Sequence, residues 1–139
     1  LVAIAFEEMA KAASSRVMII EDEPIIAIDL EGIVADMGHR ITGVASTETT
    51  AIALARKERP DLILSDIQLA DGSSGIDAVA RIVDMVGPVP VIFVTAYPER
   101  LLTGEGAEPV FLISKPYTQD QIRSAVSQAM LVTDPAAAL

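Results

Sequence analysis

The sequence predicts an α/β domain of the (βα)₅ kind, a doubly wound parallel five-stranded sheet with strand order 2-1-3-4-5. Three observations predict it. Short apolar runs (Val17-Met18-Ile19-Ile20, Leu62-Ile63-Leu64, Val91-Ile92-Phe93-Val94 and Val110-Phe111-Leu112-Ile113) are bounded by turn formers or charges, as strands buried on both faces are. The stretches between them are helix-length, so successive strands pair in parallel through right-handed crossovers. Finally, each run leads into polar residues: Glu21-Asp22-Glu23, Ser65-Asp66, Thr95 and Ser114-Lys115. Open α/β sheets place their chemistry at these carboxyl ends, and the predicted order makes the first and third strands neighbours at the switch point.

Each element has its own signal. Residues 1–13 space Val2, Phe6, Met9 and Ala13 as an amphipathic helix, and Ser14-Ser15 reads as a joint. That helix either docks on the domain or is the last helix of an upstream domain. Residues 1–15 are taken as the helix and joint left from such a domain, a reading that the start at Leu1 suits. Residues 16–20 form the first strand. Pro24 opens a helix to about Met37, with Ile25, Ile28, Ile33 and Met37 expected inward and Gly38 as its stop. Residues 41–45 alternate around Gly43 and read as an edge strand. Ser46 or Thr47 caps a helix that ends before Pro60. After Asp66, residues 67–75 form a loop whose Gly72-Ser73-Ser74-Gly75 reads as flexible, and residues 76–86 are helical up to Gly87-Pro88. Residues 89–94 are a strand, Pro98 opens a short helix ending near Gly104, and residues 110–114 form the last strand. Thr118 caps a final helix to about Met130, and residues 131–139 read as a frayed tail. The domain proper is residues 16–130.

Composition narrows the function. There are 139 residues, enough for one domain with a core. Lys and Arg total 10 against 20 Asp and Glu, a net charge of −10 that disfavours direct nucleic-acid binding. No apolar run is long enough to span a bilayer, so no membrane partner is expected. Without Cys there is no disulfide or thiolate metal site, which suits a cytoplasmic protein.

The strand ends suggest chemistry. Carboxylates crowded at adjacent ends repel one another, and oxygen ligands with water suit Mg²⁺, with Mn²⁺ an acceptable substitute. Asp66 would bind the ion and also act as an oxygen nucleophile toward a phosphoryl group. Lys115 would neutralise the transferred oxygens and Thr95 would hydrogen-bond to one of them. Taken singly, Asp66 is a turn residue, Lys115 a surface lysine and the acidic triplet a helix-start cluster. Only the four roles together favour a site.

The same residues carry a resemblance. Ile19-Ile20-Glu21-Asp22-Glu23-Pro24, Pro60-Asp61-Leu62-Ile63-Leu64-Ser65-Asp66, Val94-Thr95-Ala96 and Lys115-Pro116-Tyr117 resemble the response-regulator receiver domain, over residues 16–130. The resemblance implies a flavodoxin-like receiver fold with Asp66 as phosphoacceptor and Asp22 as a direct Mg²⁺ ligand. It further implies Glu21 acting through water, the backbone carbonyl of Gln68 as a ligand, Thr95 and Lys115 on the phosphoryl group, and a cis bond before Pro116. A sensor histidine kinase or phosphotransferase would be the donor. More narrowly, residues 66–77 and 93–100 resemble PhyR-type regulators of the bacterial general stress response. There a receiver follows a sigma-factor-like domain that captures an anti-sigma factor upon phosphorylation. One position departs from the pattern: Leu112 stands where many receivers carry an aromatic switch residue, three before the lysine. Tyr97, Pro98, Glu99 and Arg100 are therefore the candidate switch segment.

Other classes fit less well. A stand-alone receiver relaying phosphoryl groups is the nearest alternative. An Asp-nucleophile phosphatase or phosphotransferase would want a second carboxylate where Gln68 stands, and a cap insertion. A flavin carrier would want a phosphate-binding loop where Glu21-Asp22-Glu23 stands. His39, the only His, reads as a turn residue, and the five Met residues as core filler.

Overall fold

The structure is a computed structural model that describes residues 14–99 and 111–133. Five parallel strands lie in the order β2-β1-β3-β4-β5. They are β1 (Arg16–Ile20), β2 (Arg40–Ala45), β3 (Leu62–Ser65), β4 (Val91–Thr95) and β5 (Phe111–Ser114). Among the described residues, four α-helices connect and flank them: α1 (Pro24–Asp36), α2 (Glu48–Lys57), α3 (Gly75–Val86) and α4 (Gln119–Thr133). The predicted topology is the observed one. The helix read over residues 1–13 and most of the short helix after Pro98 lie outside the described residues.

The central strands are apolar throughout because alternate residues feed two separate cores. Val17, Ile19, Leu62, Leu64, Ile92 and Val94 point to the side covered by α1 and α4. Met18, Ile20, Ile63, Val91 and Phe93 point to the side covered by α2 and α3. Helix α2 buries only Ala51 and Ala55, so it lies close to the sheet, and Leu54 reaches over Gly43 of β2. A Cβ at residue 43 would lie 2.9 Å from a Leu54 methyl, so a larger residue there would make Leu54 shift.

The caps are local and specific. Thr47 and Thr50 close a reciprocal capping box at the start of α2. Ser74 caps α3 by accepting from the Ile76 and Asp77 amides. Thr118 and Gln121 exchange hydrogen bonds at the start of α4, which runs through Thr133, beyond the end expected from sequence. Helix α1 ends at Asp36 with Met37 as its C-cap, and Gly38 takes the positive φ that stops it, at 91°, as expected.

Two expectations need correction. Ile25 and Ile28 do not face the core: they are 83% and 67% exposed, and α1 buries Ala27, Leu30, Ile33 and Val34 instead. The helix is apolar nearly all round, so periodicity alone could not choose its inner face. The loop after Asp66 is also tied down rather than free. Ser73 Oγ accepts from the Glu48 amide and donates to the Ala70 carbonyl, while the Ala70 amide donates to the Ser46 carbonyl. These bonds fasten the loop to the start of α2.

Candidate functional site

The carboxyl ends of β1, β3 and β5 bring four of the predicted side chains together: Glu21, Asp22, Asp66 and Lys115. Glu21 follows β1 and is 3% exposed, and Asp66 follows β3 and is 6% exposed. The strand pairing Ile20–Ser65 sets them side by side. One carboxylate oxygen from each of Glu21, Asp22 and Asp66 lies within 4.8 Å of the others.

Lys115, just past β5, reaches into this cluster from across the sheet. Its ammonium donates to Glu21 Oε1 at 2.6 Å and to Asp66 Oδ2 at 2.8 Å. The other Asp66 oxygen, Oδ1, accepts from the Ile67 amide at 2.7 Å. The other Glu21 oxygen accepts from the Glu23 amide at 3.1 Å. Burial pushes the Glu21 carboxyl up to about 7, against the opposing pull of Lys115. Burial alone would lower the Lys115 ammonium, but its bonds to Asp66 and Glu21 outweigh that and raise it.

Thr95 is fully buried at the end of β4. Its hydroxyl oxygen accepts from the Tyr97 amide at 3.1 Å, and its carbonyl accepts from the Lys115 amide at 2.8 Å. Thr95 therefore touches both the lysine's backbone and the segment that follows β4. Tyr97 is half-exposed, Pro98 and Glu99 enter a 3-10 turn, and Arg100 lies outside the described residues. Gln68 is exposed and bridges Ser74. The Lys115–Pro116 peptide bond is cis. Leu112 is exposed, while neighbouring Phe111 packs on the core shared by α1 and α4.

Sequence reasoning missed Gly75 as a site residue. The Gly75 amide donates to the Ile67 carbonyl at 2.6 Å, and a Cβ on Gly75 would lie 2.6 Å from Ser65 Oγ. Ser65 Oγ in turn donates to the Asp66 carbonyl at 2.8 Å. The start of α3 thus seats directly on the backbone that presents Asp66. The pattern Ser-Gly at a helix start was the available signal.

The residue set suits a hard divalent cation: three carboxylates converge, with one ammonium shared between two of them. A family model described as the response regulator receiver domain matches residues 17–127.

The chain belongs to that family.

The receiver is 53% identical to the phyllosphere-induced regulator PhyR of Methylorubrum extorquens over 131 residues, 94% of this chain and 49% of that protein. It thus spans about half of that relative's length. It is 52% identical to the solution structure of the Erythrobacter litoralis PhyR response regulator REC domain, with a TM-score of 0.83, covering 90% of this chain and 97% of that one. It is 46% identical to the anti-anti-sigma factor PhyR of Bartonella quintana, in a structure with the anti-sigma factor NepR, with a TM-score of 0.60 and coverage of 94% and 53%. The narrower resemblance drawn from residues 66–77 and 93–100 is met: this is a PhyR-type receiver, a signalling module of two-component systems. Among the described residues, no helix is long and apolar enough to cross a membrane.

Proposed function

We propose that Asp66 is the phosphoacceptor of this receiver, and that its phosphorylation controls a sigma-factor-like domain that captures an anti-sigma factor in the general stress response. One observation carries the first part. Asp66 is a buried carboxylate whose two oxygens are oriented by the Ile67 amide and the Lys115 ammonium, beside two further carboxylates. The likeness to PhyR chains, one of them in a structure with an anti-sigma factor, supports the second part.

In the reaction, an Asp66 oxygen attacks phosphorus on a phosphohistidine of a sensor kinase or phosphotransferase. The phosphorus–nitrogen bond breaks and an acyl phosphate remains on Asp66. Glu21 (through water), Asp22, Asp66 and the Gln68 backbone carbonyl would hold Mg²⁺ or Mn²⁺. When bound, the cation supplies neutralising charge for the phosphoryl oxygens. Lys115 moves from carboxylate to phosphoryl oxygen as charge builds there. The Thr95 proton is not used in the bond it accepts from Tyr97, so it can be donated to the phosphoryl group.

The signal then leaves through residues 97–102. If Thr95 turns toward the phosphoryl group, the Tyr97 amide loses its acceptor, and Tyr97, Pro98, Glu99 and Arg100 must resettle. The output domain would rest on the face formed by β5 and α4. An open groove of about 720 Å³ lies on that face, lined among others by Leu112, Ser114, Ser124 and Gln128. The test uses a chain joining the receiver to its output domain, titrated with the anti-sigma factor. Phosphodonor should raise affinity by about 10-fold or more, and Asp66→Asn should abolish the rise. Equal affinity with and without donor would overturn the regulatory reading.

A further inference from the structure

The segment carrying Lys115 is pinned to α1 at a second point. Tyr117 stands two residues beyond Lys115, and its hydroxyl donates to Asp29 Oδ2 at 2.6 Å. Its ring packs against the core under α1 and α4. Burial and then the bond to Asp29 push the phenol up, so it stays a donor. Asp29 is an exposed residue of α1, the helix that begins directly after the acidic triplet.

Lys115 needs such a tether. The ladder of the edge strand β5 ends at the pair Thr95–Ser114, and one backbone bond from the Lys115 amide to the Thr95 carbonyl extends it. Beyond that, a flexible four-carbon stem must hold its ammonium between two buried carboxylates. The stretch Lys115-Pro116-Tyr117 meets the first strand and helix at both ends: Lys115 on Glu21 and Tyr117 on Asp29.

We propose that the Tyr117–Asp29 hydrogen bond is the positioning device for Lys115, setting where the ammonium sits between Glu21 and Asp66 and so the rate at which Asp66 accepts a phosphoryl group. The inference rests on the reading of Asp66 as phosphoacceptor. Tyr117→Phe removes one oxygen and leaves the ring in the core, and Asp29→Ala removes the acceptor from an exposed helix position. Neither residue touches Asp66 in the hydrogen bonds described.

The experiment follows phosphorylation by acetyl phosphate and Mg²⁺ by intact mass over time. Tyr117→Phe and Asp29→Ala should each be slower than wild type by about 3- to 10-fold, the cost of a modest misplacement of a charged group. Adding Tyr117→Phe to Lys115→Ala should slow that variant no further. The sequence contains three lysines, Lys11, Lys57 and Lys115, so ¹⁵N-lysine labelling resolves the Lys115 ammonium. Its signal should move in Tyr117→Phe while that of Lys57 stays. Wild-type rates in both variants, an unmoved Lys115 signal, or an equal further slowing in the Lys115→Ala background would overturn the proposal. A wild-type protein that takes up no phosphoryl group would fail in its own arm, overturning the phosphoacceptor reading and this inference with it.

Discussion

A Cβ placed on Gly75 would lie 1.7 Å from the Asp66 carbonyl oxygen. No backbone can tolerate that contact, so the start of α3 must carry Gly if Asp66 is to keep its place. Gly75→Ala should cost about 3 kcal/mol in urea unfolding, at the upper end of overpacking penalties. Gly32, in the exposed middle of α1, has nothing within 4 Å of its would-be Cβ. Gly32→Ala should instead stabilise by about 0.5–1 kcal/mol. The two substitutions are chemically identical, and opposite signs are expected because only one site is crowded. A harmless Gly75→Ala would contradict the close packing of α3 on the Asp66 backbone.

Lys115→Ala should leave a folded domain that is less stable without Mg²⁺. The change strands Glu21, whose carboxyl burial already pushes up to about 7, beside Asp66 and with no ammonium. Breaking a buried pair from one side costs on the order of 3 kcal/mol. Mg²⁺ should restore more stability to this variant than to wild type. A variant as stable as wild type in metal-free buffer would contradict the pairing.

Thr95→Val should remove the acceptor for the Tyr97 amide and the hydroxyl expected to meet the phosphoryl group. Phosphorylation of Asp66 should persist, but the affinity change at the partner should fall to under about 3-fold. Tyr97→Ala, in a chain carrying the output domain, should do the same. Titration of the partner with and without phosphodonor reads both. A Tyr97→Ala protein that keeps the wild-type factor would remove residues 97–102 as the coupling segment.

His39 supplies a pH dependence away from the site. Its Nδ1 accepts from the Ser15 amide at 3.0 Å, so the neutral ring carries its proton on Nε2. Burial holds its pKa below the ordinary value of 6.5. As pH falls through 6.5, the unfolded chain protonates first, so it binds more protons than the folded one until the lower folded pKa is passed. Stability therefore declines on acidification across that window and is unaffected above it. His39→Gln should give a shallower fall in unfolding free energy between about pH 7 and pH 5. An identical slope in the two proteins would contradict the burial of a neutral ring.

The strands were legible because of their burial. Met18, Ile63 and Phe93 face one core and Ile19, Leu64 and Val94 the other, which leaves short continuous apolar runs bounded by turn formers and charges. The site was legible because the strand ends carry it, and the strand order alone puts Glu21 beside Asp66. The inner face of α1 was not legible, since Ile25 and Ile28 are as apolar as Leu30 and Ile33. Nor was the role of Gly75: its constraint comes from the carbonyl of Asp66, nine residues away in sequence and in another element. The Tyr117–Asp29 bond spans 88 residues and depends on how α1 and the segment after β5 happen to meet. Local pattern carries no trace of it.

The most direct test of the central claim is intact-mass measurement after incubation with acetyl phosphate and Mg²⁺. A single phosphoryl adduct is expected on the wild-type receiver and none on Asp66→Asn. An undiminished adduct on Asp66→Asn would contradict it, because the buried carboxylate held by Ile67 and Lys115 would then not be the acceptor.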